Sequence, residues 1–121
     1  KPNVAVAMNL LGDVKDKTAI LIDDMVDTAG TLVSGVEMLK KQGAKEVYAA
    51  CSHGVLSGPA VERLKNSGLK EFVCTDTIDQ TENQKNLPNL VVLSIAPLIA
   101  ALIQAVETNS SLSVALSHAF V

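Results

Sequence analysis

The stretch Ile20-Leu21-Ile22-Asp23-Asp24-Met25-Val26-Asp27-Thr28-Ala29-Gly30-Thr31-Leu32 concentrates more chemistry than any other part of the chain. Asp23, Asp24 and Asp27 place three carboxylates within five residues, and the hydroxyls of Thr28 and Thr31 flank Ala29-Gly30. Carboxylates so spaced suit sugar hydroxyls, or a divalent cation held together with them. Small residues at 29 and 30 let a backbone come close to a ligand. If a helix starts here, the amides of Ala29, Gly30 and Thr31 are among the free donors of its first turn, where the helix dipole favours an anion. A dianion cradle beside a diol clamp describes a sugar phosphate. The plainer alternative is a helix capped by Asp27 or Thr28, with the acidic pair in a solvated loop. That alternative leaves unexplained why both features are packed together after an all-apolar run.

The elements that must position this loop follow from the hydrophobic pattern. Val4, Val6, Met8 and Leu10 alternate with Ala5, Ala7 and Asn9, the period of a strand, and Leu11-Gly12-Asp13 is a turn. Thr18 to Ile22 is a short apolar run expected to be a strand covered on both sides and to stop at Asp23-Asp24. Leu32, Val36 and Leu39 recur at helical spacing, and Gly43 suits the cap that ends that helix. Val47 to Ser52 predicts a strand, His53 to Gly58 a loop, and Pro59 to about Asn66 a helix. Phe72 to Thr75 predicts a third strand of this series, and Thr77 to Asn89 reads as a polar, solvated loop. Leu90 to Ile95 is expected to be a further buried strand, Pro97 to about Glu107 a helix, and the part from Thr108 a tail. Strand and helix alternate, so the fold class is α/β: a mostly parallel sheet flanked by helices. In such sheets ligands sit at the carboxyl ends of the strands, which is where the acidic loop falls.

Composition excludes several function classes. The 121 residues suit one domain, with 48% apolar residues to fill a core. Aromatics are 2% and the net charge is -3, which leaves neither stacking platforms nor a basic face for nucleic acid. No apolar run reaches the roughly 20 residues of a membrane span. The chain opens Lys1-Pro2-Asn3 without an initiator Met or a signal peptide, and is expected to be part of something longer. Cys51 and Cys74 lie in expected strands as buried free thiols. No G-x-x-x-x-G-K-[ST] or G-x-G-x-x-G pattern is present, and the acidic spacing misses the Asp-x-Asp of aspartyl-phosphate phosphatases. A receiver-type phosphoacceptor needs a further Asp and a Lys at other strand ends, which Ser52-His53 and Ile95-Ala96 do not supply.

The stretch Ile20 to Leu32 resembles the ribose 5-phosphate loop of the ribose-phosphate pyrophosphokinases. Gly12-Asp13-Val14-Lys15, Gly43-Ala44-Lys45-Glu46-Val47-Tyr48-Ala49 and His53-Gly54-Val55-Leu56-Ser57-Gly58-Pro59-Ala60 are similar to the same family. Phosphoribosyltransferases share an acidic-pair loop, but usually lack an acid at position 27 and carry Gly-Gly where this chain has Ala29-Gly30. The resemblance implies a phosphoribosyltransferase-like, incomplete carboxy-terminal domain over residues 1–121, without the amino-terminal half that holds the ATP site. It implies that Asp23 and Asp24 meet the ribose hydroxyls, assisted indirectly by Mg2+, and that Asp27, Thr28, Ala29, Gly30 and Thr31 hold the 5-phosphate. No catalytic residue is expected here, since the family's catalytic basic residues lie upstream.

The implied reaction transfers pyrophosphate from MgATP to the 1-hydroxyl of ribose 5-phosphate, giving phosphoribosyl pyrophosphate and AMP, in a cytoplasmic homo-oligomer that is often a hexamer. The run Ser113-Val114-Ala115-Leu116 departs from the family's usual Ser-Tyr-Leu-Phe-like ending, which contributes to regulatory or subunit contacts. A non-catalytic regulatory subunit and a phosphoribosyltransferase are the alternatives; the second would need a base-binding hood. His53 is expected to be structural, and His118 has no chemical neighbours.

Overall fold

A computed structural model describes residues 10–119. The alternating segment that begins at Val4 lies outside them except for Leu10, and so do Phe120 and Val121. Strands β1 (Thr18–Val26), β2 (Glu46–Gly54), β3 (Glu71–Thr75) and β4 (Leu90–Leu93) form one parallel sheet in the order β1-β2-β3-β4. Helices α1 (Gly30–Lys41), α2 (Ala60–Asn66) and α3 (Thr81–Asn86) connect them, and α4 (Ala96–Glu107) and α5 (Leu112–His118) follow. The α/β class, with a parallel sheet flanked by helices, is thus the observed one.

Sequential order has a consequence for burial. Right-handed crossovers between strands that are neighbours in both sequence and space carry every connecting helix to the same face. Leu32, Val36 and Leu39 of α1 and Ala60 and Leu64 of α2 close a single core against Val47, Ala49, Cys51, Phe72, Cys74 and Leu90. Phe72, Leu64 and Leu87 are fully buried, each stabilising the fold by roughly 1.5–3 kcal/mol. The opposite face stays open along β1. Ile22 is 81% exposed and Ile20 64%, so the expectation that β1 is covered on both sides fails for this reason. β1 also runs on through Asp23 and Asp24 to Val26 instead of stopping before them. The fourth strand is shorter than expected, ending at Leu93, which is itself exposed.

Helix α1 ends as its sequence predicts. Gly43 takes φ +91, its N–H reaches the Lys40 carbonyl at 3.0 Å, and the Ala44 N–H reaches the Leu39 carbonyl at 3.0 Å. These two bonds satisfy the helix's last carbonyls and need a left-handed residue between them. Gly54, by contrast, is required for space: a Cβ there would lie 3.0 Å from Gln80 Nε2 and 3.3 Å from Cys74 Sγ.

Two polar segments are more structured than their composition suggests. Thr77 to Asn89 is not a solvated loop, since it contains α3 and buries Gln80 and Leu87. Gln80 escapes the usual cost of a buried amide because its Nε2 donates to the Gly54 carbonyl at 2.6 Å and its Oε1 accepts from Asn83 at 2.8 Å. The segment from Thr108 holds α5, whose start is capped by Ser111 Oγ accepting the Val114 N–H at 3.3 Å. Helices α4 and α5 pack on each other, leaving Ile99, Ile103 and Val106 exposed. Leu87→Ala is expected to lower unfolding free energy by roughly 2–5 kcal/mol in urea denaturation, as for other buried leucines. A solvated loop at this position would show almost no change.

Candidate functional site

The carboxyl end of β1 passes into α1 through Asp27-Thr28-Ala29, and the turn is made in an unusual way. Ala29 caps α1 in the left-handed region, at φ 63 and ψ 9, and no side chain caps the helix. For a residue with a Cβ that conformation costs roughly 1–2 kcal/mol. The Ala29 methyl is buried, which offsets part of the cost and fixes the turn in the core. The first intrahelical bond runs from the Val33 N–H to the Ala29 carbonyl at 3.0 Å. Among the described residues the amides of Gly30, Thr31 and Leu32 therefore have no protein acceptor. Helix α1 has no acidic residue in its first turn and carries Lys40 and Lys41 in its last, so its positive end is not neutralised from within.

These amides open on a cavity of about 220 Å³ lined by Asp23, Met25 and the residues from Val26 to Leu32. Thr28 and Thr31 both border it, and both are exposed. The acidic pair divides. Side chains alternate along a strand, so Asp23 falls on the α1 side with Leu21, and Asp24 follows Ile22 onto the open face. Asp23 borders the cavity and Asp24 does not. A 2.8 Å bond from the Asp24 N–H to Asp23 Oδ1 fixes the Asp23 carboxylate against its neighbour's backbone.

Asp27 has a different task from capping. Its carboxylate accepts the Ser57 hydroxyl and its carbonyl accepts the Ser57 N–H at 3.0 Å. The Val26 carbonyl receives the N–H groups of Val55 at 3.0 Å and Leu56 at 3.1 Å. The loop after β1 is thereby laced to the loop after β2. On the far side, Arg63 of α2 donates from Nη1 to the Thr28 carbonyl at 3.0 Å. A Cβ on Gly30 would meet that same Nη1 at 3.3 Å, so a side chain at position 30 would first displace Arg63.

Ser57 and Arg63 were not among the residues singled out for binding. Ser57 falls within His53 to Ala60, a stretch whose family resemblance is its only signal. Arg63 gives no local signal, since a basic residue on a short helix is ordinary. His53 pairs with Thr77 Oγ1 at 2.8 Å, and His118 Nδ1 sits 2.8 Å from the Val114 carbonyl of its own helix. Neither histidine borders the cavity.

Among the described residues no group of three or more carboxylate, histidine or cysteine side chains could hold a metal ion. Two carboxylates line the cavity, Asp23 and Asp27, the second of them engaged by Ser57; they fit Mg2+ only in the way that ion is commonly held, by one or two carboxylates with water and substrate oxygens completing the shell. No described helix is long and apolar enough to cross a membrane.

A parallel α/β sheet with a polar cavity where a strand end meets a helix start is a ligand-binding architecture. The chain matches the model of the phosphoribosyl synthetase-associated domain over residues 1–117, and it belongs to that family. It is 53% identical over 113 residues to the ribose-phosphate pyrophosphokinase of Clostridium acetobutylicum, covering 93% of this chain and 35% of the relative. The ribose-phosphate pyrophosphokinase of Bacillus subtilis is 50% identical over 113 residues, with the same coverage of 93% and 35%. The crystal structure of phosphoribosylpyrophosphate synthetase from Mycobacterium smegmatis superposes with a TM-score of 0.78 at 52% identity, over 83% of this chain and 33% of that one. The chain spans about a third of the length of the curated relatives it matches.

Cys51 is the register partner of Asp23 in the neighbouring strand. Burial pushes its thiol up to about 11, with Cys74 and Asp23 adding to the effect. A thiol so shifted stays protonated until the pH nears that value, and the protonated form is a poor nucleophile. Cys51 is therefore expected to resist iodoacetamide at pH 8 in the folded protein and to react once urea unfolds it. Rapid folded-state alkylation would mean that the strand end opens to solvent.

Proposed function

We propose that this chain is the carboxy-terminal, ribose 5-phosphate-binding part of a ribose-phosphate pyrophosphokinase. The observation that carries the proposal is the uncapped start of α1, whose free amides face a small cavity shared with Asp23, Thr28 and Thr31. A 5-phosphate at the amides of Ala29, Gly30 and Thr31 would meet up to three N–H donors and the positive end of the helix dipole. The hydroxyls of Thr28 and Thr31 complete its coordination. The ribose ring then extends toward the end of β1, where Asp23 accepts from its hydroxyls. Asp24, on the open face, contributes through water or a shared Mg2+.

In the reaction proposed, the anomeric oxygen of ribose 5-phosphate attacks the β-phosphorus of ATP. An oxygen–phosphorus bond forms as the anomeric hydroxyl gives up its proton to solvent, the bond from the β-phosphorus to the oxygen it shares with the α-phosphate breaks, and AMP leaves with that electron pair. Magnesium, when bound, offsets the charge of the pyrophosphoryl group. Catalysis of this kind rests on positioning and charge neutralisation, and the residues of this chain position the acceptor. The ATP site and the catalytic cations belong, in this proposal, to the part of the relatives' length that this chain does not match. A domain of 121 residues in a cytoplasmic homo-oligomer follows from the same proposal. The exposed Ile20, Ile22, Ile99 and Ile103 are apolar surface that assembly would cover. A purely regulatory copy has no need of an open cradle, so the retained loop supports the catalytic alternative over the regulatory one.

Calorimetric titration with ribose 5-phosphate tests the proposal. Thr31→Val should weaken binding by roughly 1–3 kcal/mol, the usual loss for one hydrogen bond to a charged group. Asp23→Asn should weaken it as well, and Asp24→Asn less, because Asp23 borders the cavity and Asp24 does not. Equal affinity in the parent and all three variants would return the loop to a plain helix start.

A further inference from the structure

We propose that Arg63 is a positioning residue that latches the phosphate loop in its donor-presenting form. The inference rests on the functional reading above and names a residue of that same site. Its observation is the 3.0 Å bond from Arg63 Nη1 to the Thr28 carbonyl, with the same nitrogen beside Gly30.

The geometry of one peptide group explains why that bond matters. In a planar trans peptide the C=O of one residue and the N–H of the next point in opposite directions. No peptide in the described structure is cis. Holding the Thr28 carbonyl toward α2 therefore turns the Ala29 N–H away from α2, toward the cavity that Ala29 borders. Rotating that one peptide would reverse both groups, placing a carbonyl oxygen where the anion needs a donor. The left-handed φ of 63 at Ala29 makes such a rotation attractive to the chain, since the present turn is strained for a residue with a side chain. Arg63 opposes it with a charged donor that has no substitute nearby: among the described residues no other group donates to the Thr28 carbonyl. Asp27, tied to Ser57, anchors the residue before the rotating peptide, and the buried Ala29 methyl anchors the one after. Arg63 is half-buried on α2, so the latch joins the phosphate loop to the next crossover helix in the sheet.

The test uses the full chain, labelled with nitrogen-15, in parent, Arg63→Gln and Arg63→Lys forms. Gln is tolerated in helices, and thermal unfolding of each variant verifies that the fold is intact. Two quantities are read: the affinity for ribose 5-phosphate, and the HN–Hα coupling of Ala29 in the free protein, which reports its φ. Arg63→Gln is expected to weaken ribose 5-phosphate about tenfold, the weight of one hydrogen bond from a charged donor. It should also shift the Ala29 coupling, and Arg63→Lys should recover most of both. Unchanged affinity in Arg63→Gln overturns the latch. So does weaker affinity with an unchanged Ala29 coupling, because Arg63 would then act only as a remote charge. If the parent itself does not bind ribose 5-phosphate, the functional reading falls and the role of the latch falls with it. Parent binding with an unaffected variant removes the latch alone.

Discussion

Everything proposed for this chain depends on one left-handed residue. Ala29 turns the backbone from β1 into α1 without a side-chain cap, and this leaves the first amides of the helix facing a cavity. A Ser, Thr or Asp cap would have satisfied one of those donors locally and left fewer for an anion to meet. The protein instead accepts a strained φ at Ala29 and supports it from three sides: the buried methyl, the tie between Asp27 and Ser57, and the guanidinium of Arg63. Strain held by surrounding structure is the form that preorganised binding sites commonly take.

The sheet supplies that support through its order. Because β1, β2, β3 and β4 run in sequence, the loops after β1 and β2 are neighbours at the same carboxyl edge, and α2 lies beside the start of α1. Val55, Leu56, Ser57 and Arg63 reach the loop after β1 because β2 lies beside β1 and α2 follows β2. The same order leaves one sheet face open at Ile20 and Ile22, and α4 with α5 presents further apolar surface.

Much of this was legible in the residues. Leu32, Val36 and Leu39 announced α1, and Gly43 announced its end, because periodicity and a left-handed cap are local signals. Thr81 to Asn86 was hidden for the opposite reason. Its six residues are all polar, and the side chains that fix it, Gln80 and Leu87, flank the helix. Ser111 is a recognisable cap, but the serine-rich composition around it suggested a loose tail. The two-sided burial expected of Ile20 and Ile22 failed because an apolar run says nothing about which layers are present. Within the candidate site, residue types singled out the loop that lines the cavity, yet they could not divide Asp23 from Asp24. That division depends on β1 continuing past both carboxylates, a boundary set by pairing with Cys51 and His53 across the sheet. Ser57 and Arg63 were invisible for a related reason, since each acts through a contact about 30 residues or more away in sequence.

The central claim is that the start of α1 binds the 5-phosphate of ribose 5-phosphate. A crystal structure of the protein with ribose 5-phosphate tests it most directly. The account predicts phosphate oxygens about 2.7–3.2 Å from the amides of Ala29, Gly30 and Thr31, with the ribose hydroxyls turned toward Asp23. Ribose 5-phosphate bound elsewhere, or with its phosphate remote from these three amides, would contradict it.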